Sequence, residues 1–346
     1  MNILFVEGWW LECGNFMREH AEAAALYSNV FDVRVDFRKS WKHFPFSIKI
    51  TKEEKNNLTV YNALIYCPLR RFGIYEKSIK LAYNILIAKI KNTASIDICH
   101  LNVHTNTTKD MFNLKQLKGV PFVVTEHSSF YHTGIYKLPE KQIAQEKDEI
   151  REWFKAPELK YVMPVSKQLG SILINEYNVD KKKIIPIPNV ANKVFQYSPK
   201  IIKDDKIRIL MAAVWDGPKN PILFFDAYKL LPKKYQKRIE IKFVGIGKYI
   251  EEVKEYLKTN NFDIKIEFLG KRTKKEIGGY LQECDFLVHP SNAENLPCII
   301  IESFCCGRPV VSNSVNGVVE LINETNGLMS APRDVEAFSK NICRTI

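Results

Sequence analysis

Glu294 and Glu302, eight residues apart within HPSNAENLPCIIIESFCCGRPVVSNSVNG (289–317), are the residues best placed to do chemistry in this 346-residue chain. The segment reads as a strand over 285–289, a polar turn, a helix of about two turns and a second strand over 309–312. With Glu294 in the turn and Glu302 in the helix, both carboxylates are expected to face the crevice at the strand's carboxyl end. That is where open α/β sheets bind ligands. The helix start, near Asn295 and Leu296, offers unpaired N–H groups and a positive dipole end to a phosphate. Each carboxylate can accept charge-assisted hydrogen bonds from vicinal hydroxyls. Phosphate at a helix end with sugar hydroxyls on carboxylates describes a nucleotide sugar.

Two glutamates at this spacing are common on purely structural helices, so the neighbourhood decides. Ile299, Ile300, Ile301 and Phe304 give the helix an apolar body, and Gly307-Arg308-Pro309 stops it before an apolar strand. Together, Pro290, Ser291, Glu294, Pro297, Glu302, Gly307, Pro309, Val310, Val311, Gly317 and Glu320 resemble the E-x7-E signature of the family 4 retaining glycosyltransferases. That resemblance implies the GT-B fold, an α/β architecture of two facing Rossmann-like domains with parallel sheets and a ligand cleft between them. It implies transfer of a sugar from a UDP- or GDP-linked donor to an acceptor hydroxyl with retention of configuration, using neither a metal nor another cofactor.

The same resemblance assigns roles. Glu302 would hold the ribose hydroxyls and Glu294 the hydroxyls of the donor sugar. Lys219, in MAAVWDGPKNP, would neutralise the diphosphate together with the N–H groups near Leu296. His127, closing PFVVTEHSS, would meet a sugar hydroxyl. Gly14 is what remains of a glycine-rich loop after the first strand, where a Cβ would obstruct the ligand. Gly245 and Gly247, in VGIGK, match a glycine turn, and Lys271 and Arg272, in FLGKR, a strand end near the nucleotide. The family's usual arginine partner of the lysine is missing, since Ala213 and Val214 stand in those places. Arg308 and Arg272 are the candidates to replace it. His100 and His104 are weaker site candidates, and no histidine spacing suits a zinc ligand set.

These residues must be carried by alternating strands and helices, and the chain supplies them throughout. Strands are expected at 3–6, 33–35, 63–66, 96–101, 121–125 and 161–165, with helices at 18–27, 74–90 and 167–177. A polar, aperiodic stretch over 193–206 reads as a linker. Strands then recur at 208–214, 239–245, 264–269 and 285–289, with helices at 221–231, 250–257, 274–282 and 335–342. The reading is a first domain over 1–197 that takes the acceptor and a second over 198–346 that takes the donor.

The bulk properties permit this organisation. The length suits two cores, and the 46% apolar content is ordinary. No apolar run approaches the roughly 18 residues of a membrane span, and the start lacks a signal-peptide pattern, so a cytoplasmic protein is expected. The net charge of +12 is uneven: residues 1–200 hold 29 Lys and Arg against 20 Asp and Glu. A basic first half suits peripheral contact with an anionic inner membrane face or a lipid-linked glycan acceptor. No cluster of basic and aromatic residues points to nucleic acid. Eight cysteines lack C-x-x-C spacing, and Cys298, Cys305 and Cys306 read as buried free thiols. A nucleotide-sugar epimerase and a catalytically degenerate sugar-nucleotide binder remain the alternatives to a surface-polysaccharide or glycolipid transferase.

Overall fold

The computed structural model describes residues 1–7, 15–43, 46–68, 73–105, 108–109, 111–128, 131, 139–200 and 204–346. Gly14, Cys13 and the tryptophans at 9 and 10 lie outside the described residues. The chain forms two compact units. The first comprises chiefly Met1–Ser128, Leu138–Val165 and Gly170–Ile187, the second Ser166–Leu169 and Pro188–Ile346.

The first unit runs β1 (Asn2–Glu7), α1 (Asn15–Ala24), β2 (Asn29–Lys39), β3 (Ser47–Lys55), β4 (Leu58–Cys67), α2 (Ile74–Lys91), β5 (Ile98–Asn102), β6 (Phe122–Glu126), α3 (Glu140–Phe154), β7 (Leu159–Pro164) and α4 (Lys167–Tyr177). Its sheet has the order β3-β4-β2-β1-β5-β6-β7. All neighbours are parallel except β3, which pairs antiparallel with β4 at the edge. The sequence reading had no strand there and expected parallel sheets. SIKITKEEK is an exposed edge strand with few apolar residues to announce it. The polar helix α3 was missed for the same reason.

The second unit runs β8 (Ile207–Ala212), α5 (Pro221–Lys229), α6 (Lys233–Gln236), β9 (Ile239–Val244), α7 (Tyr249–Thr259), β10 (Lys265–Gly270), α8 (Lys274–Glu283), β11 (Phe286–His289), α9 (Cys298–Cys305), β12 (Val310–Asn313), β13 (Gly327–Ser330) and α10 (Val335–Thr345). The order β10-β9-β8-β11-β12-β13 is, counted within the unit, 3-2-1-4-5-6. This is the dinucleotide-fold order, and it reverses direction between β8 and β11. With β3 set aside, the first sheet has the same order and reverses between β1 and β5.

Local chemistry explains the boundaries in the second unit. Pro221 begins α5, where its missing N–H costs nothing. Thr273 and Glu276 cap α8 reciprocally. Gly307, at φ +72°, takes the left-handed conformation that closes α9. The central strands are apolar on both faces, as strands covered by helices on both sides require. Trp215 is buried, stacks on Phe243 at 4.3 Å and donates from Nε1 to the Val244 carbonyl at 2.9 Å. That contact ties the β8 exit to β9. Gly245, at φ +124°, lies so close that a Cβ would overlap the Ala213 carbonyl oxygen, and one on Gly247 would overlap that of Trp215. These two glycines serve a close approach of backbone to backbone.

No helix of the described residues is long and apolar enough to cross a membrane. Gly245→Ala should destabilise the second unit by about 1–3 kcal/mol through overpacking and an unfavourable φ. A lowered urea midpoint with unchanged slope would register it, and an unchanged midpoint would contradict the close approach.

Candidate functional site

At the reversal between β8 and β11, successive connections leave the sheet on opposite sides, so the carboxyl ends border a crevice. The loops that follow these strands are fastened to each other. Asn220 N–H donates to the Pro290 carbonyl at 2.9 Å, and Asn292 N–H to that of Pro218 at 2.8 Å. Lys219 and Ser291 form an antiparallel bridge between them. This fastening delivers Lys219, just before α5, to Glu294, five residues beyond β11. The Lys219 ammonium pairs with Glu294 Oε1, which His289 Nε2 also reaches at 2.8 Å.

The electrostatics of this trio are legible. Burial by itself raises the Glu294 pKa, but the Lys219 charge and the His289 hydrogen bond oppose it and hold the carboxyl below its ordinary value. Burial lowers the His289 pKa, with Glu294 acting against it. A neutral His289 next to an ionised carboxylate must donate its Nε2 proton to it. His289 closes β11 and is buried. Sequence reasoning placed it only as the strand's last residue. Its spacing of five from Glu294 was the available signal.

Glu302 sits in α9, buried, on the helix that starts this side of the crevice. The helix begins at Cys298 behind Pro297, so the expected start near Leu296 is displaced by two residues. A proline at the N-cap holds extended backbone and delays the first turn. The Leu296 carbonyl accepts from Asn189 Nδ2 at 2.8 Å. Asn295 is buried, and Gly317 packs so tightly on it that a Cβ would overlap the Asn295 carbonyl.

Arg308 does not supply a spare cation. It is buried and donates to the carbonyls of Leu281 at 3.1 Å, Gln282 at 2.6 Å, Ser198 at 3.0 Å and Gly307 at 3.3 Å. Its guanidinium thus answers the unpaired carbonyls at the end of α8. Lys271 and Arg272 follow β10, two strands from β8, which is on the order of 10 Å across the sheet. Arg272 lies 3.8 Å from Glu276. The cysteines also depart from expectation. Cys306 is buried, but Cys298 is half-buried and Cys305 exposed, because an eight-residue helix turns one face to solvent.

The first unit gathers polar groups at its own strand ends. His127, directly after β6, is buried and stacks on His20 of α1 with ring centroids 5.6 Å apart. His100 Nε2 lies 2.7 Å from Thr125 Oγ1, and burial pushes its pKa down to about 3. Burial pushes His104 down to about 4, and its ring sits against Trp153. Glu7, the last residue of β1, is buried with Asp32 of β2. Arg34 donates to Glu7 Oε1 at 2.6 Å and reaches Asp32 Oδ2 at 3.4 Å, while Arg18 of α1 reaches Asp32 Oδ2 at 3.1 Å and Glu22 at 3.2 Å. Burial, then the Asp32 charge, pushes the Glu7 pKa up to about 8. Burial raises Asp32 as well.

The chain is a pair of open α/β units of dinucleotide-fold order, and the second carries a lysine, a histidine and two glutamates at its reversal. Comparison specifies the family. The model of glycosyl transferases group 1 matches residues 195–346, and that of glycosyltransferase family 4 matches residues 50–193. The chain belongs to this glycosyltransferase family. It is similar to an uncharacterised glycosyltransferase of Methanocaldococcus jannaschii, 26% identical over 167 residues, covering 48% of this chain and 44% of that one. It is also similar to the N,N'-diacetylbacillosaminyl-diphospho-undecaprenol alpha-1,3-N-acetylgalactosaminyltransferase of Campylobacter jejuni, 27% identical over 175 residues, covering 49% and 43%. The chain thus spans less than half the length of either relative in these matches. Among solved structures, Anabaena HepE in complex with UDP superposes with a TM-score of 0.68 at 16% identity, over 99% of this chain and 89% of that one. Neighbours of this kind are GT-B glycosyltransferases, and the two Rossmann-like units are that fold.

Two outcomes follow from the electrostatics. His289→Ala leaves a buried carboxylate short of a donor and should cost about 1–3 kcal/mol of stability; an unfolding midpoint equal to that of the parent would refute the hydrogen bond. Glu7 has a raised pKa, so between its ordinary 4.5 and about 8 the folded state binds more protons than the unfolded. Stability should therefore fall as pH rises through that window, and Glu7→Gln should flatten the fall. Urea midpoints at pH 5, 7 and 9 check the sign against the neighbouring Arg18, Glu22, Asp32, Arg34, His20 and His100.

Proposed function

We propose that this protein is a retaining, metal-independent glycosyltransferase that moves a sugar from a UDP- or GDP-linked donor to a hydroxyl of a glycan or lipid-linked acceptor. The observation that carries this reading is the Lys219–Glu294–His289 trio beside α9 at the β8/β11 reversal. The lysine is the cation a departing diphosphate needs, and its contribution grows as negative charge develops on the leaving oxygen. The N–H groups that open α9 act on the same phosphate. Glu302, on that helix, takes the ribose hydroxyls.

Glu294 binds hydroxyls of the transferred sugar. Its Oε1 is engaged by Lys219 and His289, so Oε2 is the oxygen left to accept from the ligand. His289 fixes the carboxylate's direction from beneath. In a retaining transfer without a nucleophilic side chain, the acceptor hydroxyl attacks from the face the diphosphate leaves, and its proton passes to the departing phosphate. Positioning and leaving-group stabilisation then supply most of the rate.

Relatives support the substrate classes. The Campylobacter jejuni relative acts on an undecaprenol-diphosphate-linked sugar, and the Anabaena structure holds UDP. By that likeness the donor is a nucleoside diphosphate sugar and the acceptor a lipid-linked saccharide in surface glycan synthesis. An acceptor on a lipid carrier brings the protein to the cytoplasmic membrane face, and the basic first 200 residues fit such a surface.

Calorimetry with UDP, GDP and ADP tests the core of this reading. One of the first two should bind saturably, and Lys219→Ala and Glu302→Ala should each weaken it at least tenfold. With the donor known, Glu294→Ala should lower transfer by on the order of 10²–10³. Binding of none of the three nucleotides, or near-normal turnover by the Glu294 variant, would overturn the assignment.

A further inference from the structure

Glu294 stands in a turn, residues 290–294, that leaves β11 and leads to α9. The loop after β8 holds one side of this turn, through the Asn220–Pro290 and Asn292–Pro218 hydrogen bonds. β12, the neighbour of β11 on its other side, holds the turn through side chains. Ser312 Oγ donates to the His289 carbonyl at 2.7 Å, and Asn313 Nδ2 donates to the Ser291 carbonyl at 2.9 Å. Beyond the strand, the Gly317 N–H donates to the Glu294 carbonyl at 3.2 Å. Within the turn, Ser291 Oγ donates to the Ala293 carbonyl at 3.0 Å.

Two observations set Ser312 and Asn313 apart from residues that only pack a strand. β12 opens with Val310 and Val311, both fully buried, and closes with two polar residues that are just as buried. Polar groups taken out of water are costly unless bonded, so a strand built for packing alone would stay apolar to its end. The Asn313 amide also keeps one end unmet. Its Oδ1 finds no donor among the described residues, and Oγ of Ser330, its register partner on β13, finds no partner either. Local rules are broken in this way where a site needs a group held in place. Here the group held is the backbone on either side of Ser291.

These bonds act on Glu294 at short range. His289 is the register partner of Ser312, so the hydroxyl fixes the backbone of the imidazole that donates to Glu294 Oε1. Asn313 fixes Ser291, the residue bridged to Lys219, whose ammonium pairs with the same oxygen. Between them, the two side chains determine where both partners of the carboxylate stand.

We infer that Ser312 and Asn313 are positioning residues for the transfer reaction, aiming the Glu294 carboxylate at the donor sugar from the strand beside it. Neither touches the ligand. Such a site must keep its geometry to within about 0.5 Å, and the packing of the turn alone does not supply that. The inference deepens the transferase reading and rests on it for the role of Glu294. That these side chains set the His289–Glu294 contact does not rest on it.

NMR of the intact protein with nitrogen-labelled histidine tests that contact. The parent should show a hydrogen-bonded His289 Nε2–H resonance, assigned by its absence in His289→Gln. Ser312→Val and Asn313→Leu remove the donors and should abolish it. Ser312→Thr matches the valine variant in shape but keeps the hydroxyl, and should preserve it. With a donor known, Ser312→Val and Asn313→Leu should lower kcat by on the order of ten- to a hundredfold, with Ser312→Thr within about threefold of the parent. UDP or GDP affinity should stay within about threefold in all three, because the nucleotide meets Lys219, Glu302 and α9 rather than Glu294. Should Asn313→Leu fail to fold, Asn313→Ala replaces it. Should both fail, a crystal structure of the parent with donor bound decides. Both side-chain bonds must then be present with Glu294 on the sugar, and the loss of either overturns the inference.

Unchanged kcat in Ser312→Val and Asn313→Leu would also overturn it. So would equal losses in the valine and threonine variants, which would trace the effect to packing, or nucleotide affinity falling in step with kcat, which would mark a general loss of structure. If no nucleotide binds the parent, the transferase reading falls and the His289 resonance alone decides the positioning role. If that resonance survives in both variants, the positioning role falls and the transferase reading stands.

Discussion

A carboxylate taken out of water must keep partners or lose its charge, and Glu294 shows how this fold meets that demand. Isolated burial would drive it toward the neutral acid, which could not accept hydrogen bonds from a ligand as a charged group does. Lys219 and His289 reverse that tendency. They can do so only because the loops after β8 and β11 are stitched together by backbone hydrogen bonds across the sheet's reversal. The order of strands is therefore a precondition of the charge, and the charge of the chemistry. Trp215 and the glycines at 245 and 247 act one layer further out, locking the loop that carries Lys219 to the end of β9.

The two units solve opposite electrostatic problems on the same scaffold. In the second, a carboxylate is kept ionised by a lysine and a neutral imidazole. In the first, burial raises the pKa values of Glu7 and Asp32 against the pull of Arg34 and Arg18. Each solution lies where one strand order reverses and backbone leaves the sheet in two directions. In the proposed function, the second unit's charge complements a diphosphate.

Much of the architecture was legible in the residues alone. Apolar runs bounded by helix stops marked the parallel core strands, since strands covered on both faces cannot be polar. The eight-residue spacing of Glu294 and Glu302, with Gly307 and Pro309 behind them, marked the turn, the helix and its end. β3 and α3 escaped notice because exposure frees their sequences from any apolar pattern. Arg308 stayed open as a replacement cation for a related reason: a cation beside a helix stop reads the same whether its guanidinium meets a phosphate or four backbone carbonyls.

The sequence by itself determined the alternation of strands and helices, the chemical types at each strand end, and the family, because these depend on local spacing and propensity. Tertiary structure alone decided which charged and polar groups meet. Lys219 and Glu294 lie 75 residues apart in sequence, and Glu7 and Asn102 are separated by the whole of β2, β3, β4 and α2. Their meeting depends on strand order and register, and their protonation on burial. Burial is a property of the assembled core, which no single segment carries.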